Sequence, residues 1–538
     1  MSNVFRKGIY RTIFTWAAFW ALFCISLSNS RIYDTYAARM TDVRIGLEEL
    51  YKNKSSIMVY NSNIALGFCV NNNYSTEIEL VSQTGFSFTP DKGTYYEDKN
   101  NYPTYRKAVS VCDTYRIGGA EAYPVYAGTG CWKCYVTAAS YNNLTNGKMK
   151  DLASELSKKS SNAYLVRLAG QNVTLLIDGE NAGGFPQIKA LNQTNGIYSV
   201  NLGTRSYRGR IEIGRYNESS TLTAVNVLNI ESYLLGVVTC EMNHTWPQEA
   251  LKAQAVCSRS YAYVRSGFGA DSRLKDPYSV GDTTASQVYR GINGERPEGI
   301  EAVNATVGKI VLSKGKPIDA FFFSTSGGAT DSITDIWGIK SSAYKGVFDY
   351  FETDPEKKPW VVDLTINDAS NKLAEAGYDV GTLKSIEPVI LTESGRIYRA
   401  KATGTKKSVT VSGTKLRSIF GLTDTKFRVI TSSSKADIVS IKGADSVVQE
   451  KLKDCYVITA AGTQKLSDDS KQYILITDGN FYNIPAVLPE SGIIRIIGMG
   501  WGHGVGMSQS GAMGMAKKGY NYKQIIEFYY NNAEIGDY

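Results

Sequence analysis

The sequence predicts an α+β fold: a mixed or antiparallel β core with packed helices, small N-terminal α/β accessory modules and one N-terminal transmembrane helix. Three observations predict it. Short alternating stretches such as Arg210-Ile211-Glu212-Ile213-Gly214-Arg215-Tyr216 recur between turn signals, as half-buried strands do. One helical stretch runs from Trp246 through Tyr263. An uncharged run, Thr12 to Ser30, follows Arg6, Lys7 and Arg11.

That run has the length and the basic flank of a single membrane span with its basic end in the cytoplasm. A cleaved signal peptide is the alternative, because Ser26, Ser28, Asn29 and Ser30 are small. The aromatic content and Arg31 favour the anchor, so the expectation is a single-pass protein of the cell membrane with its main domain extracellular. Residues 1–35 are then tail and anchor, 40–200 an extracellular accessory region of two small modules, and 207–534 the main domain.

Val43 to Leu47, Ile64 to Phe68 and Ile78 to Val81 read as strands of a β-rich unit. Strand, helix and strand then follow in Tyr135 to Ala138, Met149 to Leu156 and Val173 to Ile177. Beyond the loop-like Asn192 to Gly196, Leu222 to Leu228 supplies a partner for the strand at Arg210. Ile230 to Val238 leads into Glu241, just before the helix that restarts at Trp246-Pro247. Thr245 and Gln248 have capping-box spacing, and a first-turn proline needs no amide partner.

The chain has 538 residues, 43% of them apolar, enough for two or three cored domains. Its net charge of +8 is a mild surplus, suited to an anionic surface such as a wall polymer. It lacks the concentrated basic block of a nucleic-acid groove, so no nucleic-acid partner is expected. Cys131 and Cys134 have the gap of half a zinc site or of a redox pair, but no matching second pair follows. A disulfide between them, or with Cys112, stays open.

The two histidines, His244 and His503, fall in the least ordinary segments, Cys240 to Pro247 and Gly500 to Met507. Glu241, before a helix mouth, is the candidate acid. Lys252 and Arg259 fall on one helix face, either toward substrate or fixing the glutamate, and a solvated face is the bland alternative. Phe321 to Phe323 reads as a buried strand whose exit, Ser324-Thr325-Ser326-Gly327-Gly328, can hold sugar hydroxyls. The glycines from Gly498 to Gly506 permit left-handed angles, so His503 can sit on a tight loop, either touching sugar or bonding structurally. A cysteine-protease reading would need Cys240 or Cys257 in contact with a histidine and a third group.

Tyr233 to Val238, Glu241-Met242, Trp246-Pro247, Glu249 to Ala255 and Arg259 to Ala262 resemble the signature of the stage II sporulation protein D family. Asp282-Thr283-Thr284, Gln287-Val288-Tyr289, Phe321 to Gly328, Trp337-Gly338, Ser394-Gly395-Arg396, Leu416-Arg417-Ser418 and Gly500 to Gln509 follow in the family's order. The resemblance covers about Tyr207 to Tyr530. It implies a membrane-anchored lytic transglycosylase that cleaves the N-acetylmuramic acid to N-acetylglucosamine bond of denuded glycan strands, leaving 1,6-anhydro ends, during engulfment in sporulation. Its implied partners are peptidoglycan strands, a cell-wall amidase and other sporulation membrane proteins. The wider family includes amidase enhancers, so a non-enzymatic enhancer or glycan-binding scaffold is the alternative.

The family glutamate falls on Glu241, which would protonate the glycosidic oxygen and then serve as base. Lys252, Arg259, Ser324, Ser326, Gly327, Gly328 and His503 are the expected substrate contacts. Glu231, Asp282 and Asp335 are candidates for a second carboxylate, which hydrolysis would require. Some family members carry a histidine and two cysteines before the Gln-Val-Tyr segment, whereas Pro277 to Ser286 has no soft ligand here. No metal and no cofactor are therefore expected.

Overall fold

The computed structural model describes residues 42–538, apart from 71–72, 147–149, 160–162, 267–273, 353–358, 432–437, 443–446, 452–455, 460–461, 466–471, 478–479 and 486–488. It divides into two compact units, Met1–Glu241 with Ala262–Pro297, and Met242–Tyr261 with Glu298–Tyr538.

In the first unit the alternating segments form a seven-stranded sheet, in the order Val280–Gly281, Asp42–Gly46, Thr223–Asn229, Arg210–Gly214, Gln187–Ala190, Asn63–Val70 and Asn73–Val81. Every pairing is antiparallel except that of Asp42–Gly46 with Val280–Gly281. Strands from before residue 200 and after residue 207 thus share one sheet. The side chains of Ile45, Ile64, Ile211 and Val225 are fully buried, and the middle strands are covered on both faces, since Glu212, Ala224 and Asn226 are buried as well. Glu212, equally buried, is held by Arg44 at 2.7 Å.

A second, eight-stranded sheet lies within residues 57–178, and the parallel pairing of Thr174–Asp178 with Ala122–Tyr126 makes it mixed. The helix Tyr105–Ile117, opened by the Thr104 side chain accepting from the amide of Lys107, lays Cys112 and Tyr115 against Cys134 and Val136. Cys112 and Cys134 form a disulfide, and Cys131 is a free thiol.

In the second unit, Trp360–Thr365, Ile493–Gly498 and Phe427–Thr431 make one three-stranded sheet, and Leu383–Leu391, Ile397–Gly404 and Ser408–Ser412 another. Helices Ile366–Glu375 and Gly413–Phe420 close over them, burying Leu373, Ile386, Leu416 and Ile496 in one core. Phe322–Phe323 pairs in parallel with Met507–Ser508, which brings the two loop segments singled out in the sequence side by side.

The mixed α+β class, with antiparallel and mixed sheets and packed helices, agrees with the sequence. The transmembrane helix and the single-pass cell-membrane placement are corrected. Among the described residues no helix is long and apolar enough to cross a membrane. The longest, Gln248–Ser266, has 19 residues and carries Glu249, Lys252, Arg259 and Arg265. The run Thr12 to Ser30 lies outside the described residues.

Candidate functional site

Glu241 ends a short helix, Val238–Glu241, that follows the helix Ile230–Leu235. Its Oε1 accepts the amide of Val288 at 2.6 Å, and its side chain stays partly exposed. The acceptor's position is set from both sides. Thr239 donates to the carbonyl of Gly294 at 2.6 Å, and the amide of Arg290 donates to that of Gly236 at 3.3 Å. Tyr289, buried between, donates to Asn226 at 2.7 Å and stacks at a tilt on Tyr233. A Cβ on Gly294 would stand 2.5 Å from the sulfur of Cys240, so only glycine lets this loop approach the helix.

The other carboxylates weighed as partners serve the fold. Asp282 is fully buried and accepts the amide of Glu49 at 3.0 Å. Glu231 is buried in the first turn of its helix, where the Asn229 side chain caps its amide. Asp335 lies in the second unit, in the first turn of Ile333–Trp337, where the Ser332 hydroxyl accepts its amide.

Arg259 is fully buried. Its guanidinium donates to the carbonyl of Lys309 at 3.0 Å and to that of Val303 at 3.4 Å, at the end of the helix Pro297–Asn304. Lys252 pairs with Glu249 at 2.7 Å, whose other oxygen accepts the amide of Tyr522. The predicted capping box is absent: Thr245 donates to Asn243, and the Gln248 side chain donates to the carbonyl of Glu298.

The Ser324 to Gly328 turn is pinned at almost every backbone group. The amide of Ser510 donates to the carbonyl of Ser324, and Thr325 exchanges two backbone bonds with Trp501. Arg396 donates to the carbonyl of Ser326 at 2.8 Å, Lys426 to that of Gly327 at 2.8 Å, and the amide of Asp349 to that of Gly328 at 2.9 Å. Gly327 adopts φ 61°, and a Cβ there would meet the amide nitrogen of Gly500 at 2.9 Å. Ser326 and the amide of Gly328 donate to Oε2 of Glu352. Burial, and then the charge of Glu352, pushes Asp349 up to about 6.

Arg396 organises this wall. It is fully buried, donates to Asp424 and Asp331 as well as to the carbonyls of Ser326 and Ala329, and packs under Gly504. Burial alone would lower its pKa, but the two carboxylates outweigh it and hold the value above the ordinary one. Gly504, at φ 82°, has no room for a side chain, since a Cβ would lie 2.6 Å from the guanidinium carbon. Burial, and then the charge of Arg396, pulls Lys426 down to about 8.

His503 lies among the rings of Phe323 and Trp337, with centroids 5.3 and 5.1 Å away. Its Nδ1 accepts the amide of Val505 at 3.1 Å, which fixes the proton on Nε2. Burial, followed by the charges of Arg417 and Arg396, pushes it down to about 3, so the ring is neutral at physiological pH. Trp337, packed on this ring, and Trp501, two residues before it, remain 39% and 58% exposed.

Cys240 and Cys257 are not activated. Burial pushes Cys240 up to about 11 against the pull of Arg290, and Cys257 up to about 12. Among the described residues, no three His, Cys, Asp or Glu side chains are grouped so as to hold a metal ion. His244 approaches Glu298 at 3.5 Å with both side chains nearly half exposed.

Arg396 as an organiser, Lys426, and the Asp349 and Glu352 pair were not foreseen from the sequence. The Ser-Gly-Arg motif was the one available signal for the first.

The family model described as Stage II sporulation protein matches residues 218–312, a stretch that includes Glu241 and Val288. An uncharacterised protein of Brachyspira hyodysenteriae is 34% identical over 332 residues, 62% of this chain and 73% of that protein. The amidase enhancer of Bacillus subtilis is 28% identical over 306 residues, 57% of this chain but only 40% of its own length. Stage II sporulation protein D of Bacillus amyloliquefaciens is 26% identical over 328 residues, covering 58% of this chain and 76% of that protein. Sequence motifs, family model and relatives converge, and the chain belongs to the stage II sporulation protein D family.

Proposed function

We propose that this chain binds cell-wall glycan through its second compact unit and enhances a cell-wall amidase during sporulation. The observation that carries this is the wall built by Ser324 to Gly328 and Gly500 to Gly506: rigid, held by Arg396, and carrying two exposed tryptophans beside a neutral histidine. Exposed aromatic faces on a fixed backbone suit the apolar faces of sugar rings, and a wall whose polar groups are already engaged needs no rearrangement on binding. Ser324, Ser326, Gly327, Gly328 and His503 act here by shaping that wall. Lys252 and Arg259 support the neighbouring helix. The name of the amidase enhancer among the relatives supports the amidase as partner. Trp501→Ala should leave the fold intact, because the tryptophan's backbone makes its pairing with Thr325. The variant should lose pull-down on purified glycan strands. Undiminished binding would reject the wall as the glycan surface.

A second reading has one observation in its favour. Glu241 is partly exposed and its position is fixed by Val288, as a general acid and base would require. On that reading Glu241 protonates the glycosidic oxygen between N-acetylmuramic acid and N-acetylglucosamine. It then takes the proton of the muramic 6-hydroxyl as that oxygen closes on C1. The products are 1,6-anhydro ends, which glycan digestion followed by mass spectrometry detects.

A further inference from the structure

Three side-chain atoms inside the first unit have no hydrogen-bond partner among the described residues: Nη1 of Arg205, Oδ2 of Asp282 and the phenolic oxygen of Tyr207. Their residues are 7%, 0% and 0% exposed, so solvent at the surface does not serve them. The rest of each group is engaged. Arg205 donates through Nη2 to Glu49 at 2.8 Å, and Oδ1 of Asp282 accepts the amide of Glu49 at 3.0 Å. The Tyr207 ring meets Tyr51 edge-on and Tyr289 at a tilt, with centroids 6.2 and 6.0 Å away. The three atoms face one space. Nη1 and Oδ2 stand 3.9 Å apart, and the raised pKa of the Tyr207 phenol is set first by burial and then by its neighbours Tyr51, Arg205 and Asp282. Buried polar groups are paired with protein or with ordered water, because a bond left unmade there costs more than a made one returns.

We propose that one internal water occupies this space, accepting from Nη1 of Arg205, donating to Oδ2 of Asp282 and bonding the hydroxyl of Tyr207. A separation of 3.9 Å is too long for a direct hydrogen bond and short enough for a single oxygen to touch both groups. Three polar partners are the usual complement of an internal water. Charge decides against an ion. An anion would meet Asp282 at contact distance and a cation would meet Arg205, whereas a neutral molecule that both donates and accepts serves the two together. The water joins separate segments of the chain. Tyr207 lies in the strand Ser206–Arg208, Glu49 in the helix Glu48–Tyr51, and the carbonyl of Asp282 accepts the amide of Tyr289 at 3.2 Å. Val288, whose amide holds Glu241, lies in the stretch that Asp282 and Tyr289 close. The water thus backs the segment that positions Glu241, whichever reading of the function holds.

Two measurements test it. A high-resolution crystal structure of the full chain should show one peak within about 3.2 Å of all three atoms, with no anomalous signal after soaking in bromide or rubidium. Direct contact between Arg205 and Asp282 with no peak beside them would overturn the proposal, and an anomalous peak would overturn the assignment to water. The variant Tyr207→Phe deletes only the phenolic oxygen. Where that oxygen bonds a water, hydrogen exchange of the amides in 282–289 should quicken about fivefold, as expected for one lost hydrogen bond. Where it bonds nothing, its removal relieves a buried polar group, so unchanged or slower exchange would overturn the proposal.

Discussion

Arg396 and Asp424 form a two-pronged ion pair with no exposure on either side chain, Nε to Oδ1 at 2.9 Å and Nη2 to Oδ2 at 3.2 Å. The same guanidinium reaches Asp331 at 3.1 Å and the carbonyl of Ser326 at 2.8 Å. One buried cation therefore ties the strand at Ile397 to both sides of the proposed glycan wall.

Arg396→Met should destabilise the protein by about 3–5 kcal/mol, because it leaves Asp331 and Asp424 buried without their counter-charge. Arg396→Lys should recover only part of this, since an ammonium cannot make the forked contact. Urea unfolding of both variants is the check. A loss under about 1 kcal/mol for Arg396→Met would show that the pair is not what holds the wall.

His503 sets a pH dependence whose sign follows from its lowered pKa. Its folded value is about 3 and the ordinary value is 6.5, so between these the unfolded chain binds the extra proton. Stability should therefore fall as pH drops from about 6.5 toward 3. Asp349, raised to about 6, acts in the opposite sense between about 4 and 6. His503→Gln separates the two, and should flatten the acid limb of a stability profile measured by thermal melts. An unchanged limb would contradict the assignment of a neutral ring at His503.

The Cys112–Cys134 bridge closes a loop of 22 residues over the helix Tyr105–Ile117. The variant Cys112→Ala/Cys134→Ala should lose about 3 kcal/mol from the first unit, with glycan pull-down unaffected because the proposed wall lies in the second. Chemical denaturation followed beside pull-down checks both halves. Loss of glycan binding would contradict the assignment of binding to the wall.

Much of the strand pattern was legible in the sequence. Arg210 to Tyr216 and Leu222 to Leu228 are read as partners and do pair, over Arg210–Gly214 and Thr223–Val227, but both faces of these strands are buried where the alternation predicts one exposed face. The glycine comb was legible as well: Gly500, Gly502, Gly504 and Gly506 all take positive φ. Long-range charge pairing was not. Arg396 meets Asp331 across 65 residues and Asp424 across 28, and nothing local encodes those partners. The Val288 amide at Glu241 was hidden for another reason, since a backbone donor carries no side-chain signal. The capping box failed because Asn243 and Glu298 offered Thr245 and Gln248 competing partners. The anchor inferred at Thr12 to Ser30 rested on the length, aromatic content and basic flank of that run, and no membrane-crossing helix is found among the described residues.

The most direct test of the proposed amidase-enhancing role mixes peptide-rich wall, a cell-wall amidase and either the native protein or Glu241→Gln, with mass spectrometry of the released products. The substitution nearly preserves shape, and the amide oxygen it introduces can still accept the Val288 bond. Faster amidase release is expected with both proteins, and no 1,6-anhydro ends from either. Anhydro ends made by the native protein and lost in Glu241→Gln, with no acceleration of the amidase, would contradict that role and establish the transglycosylase.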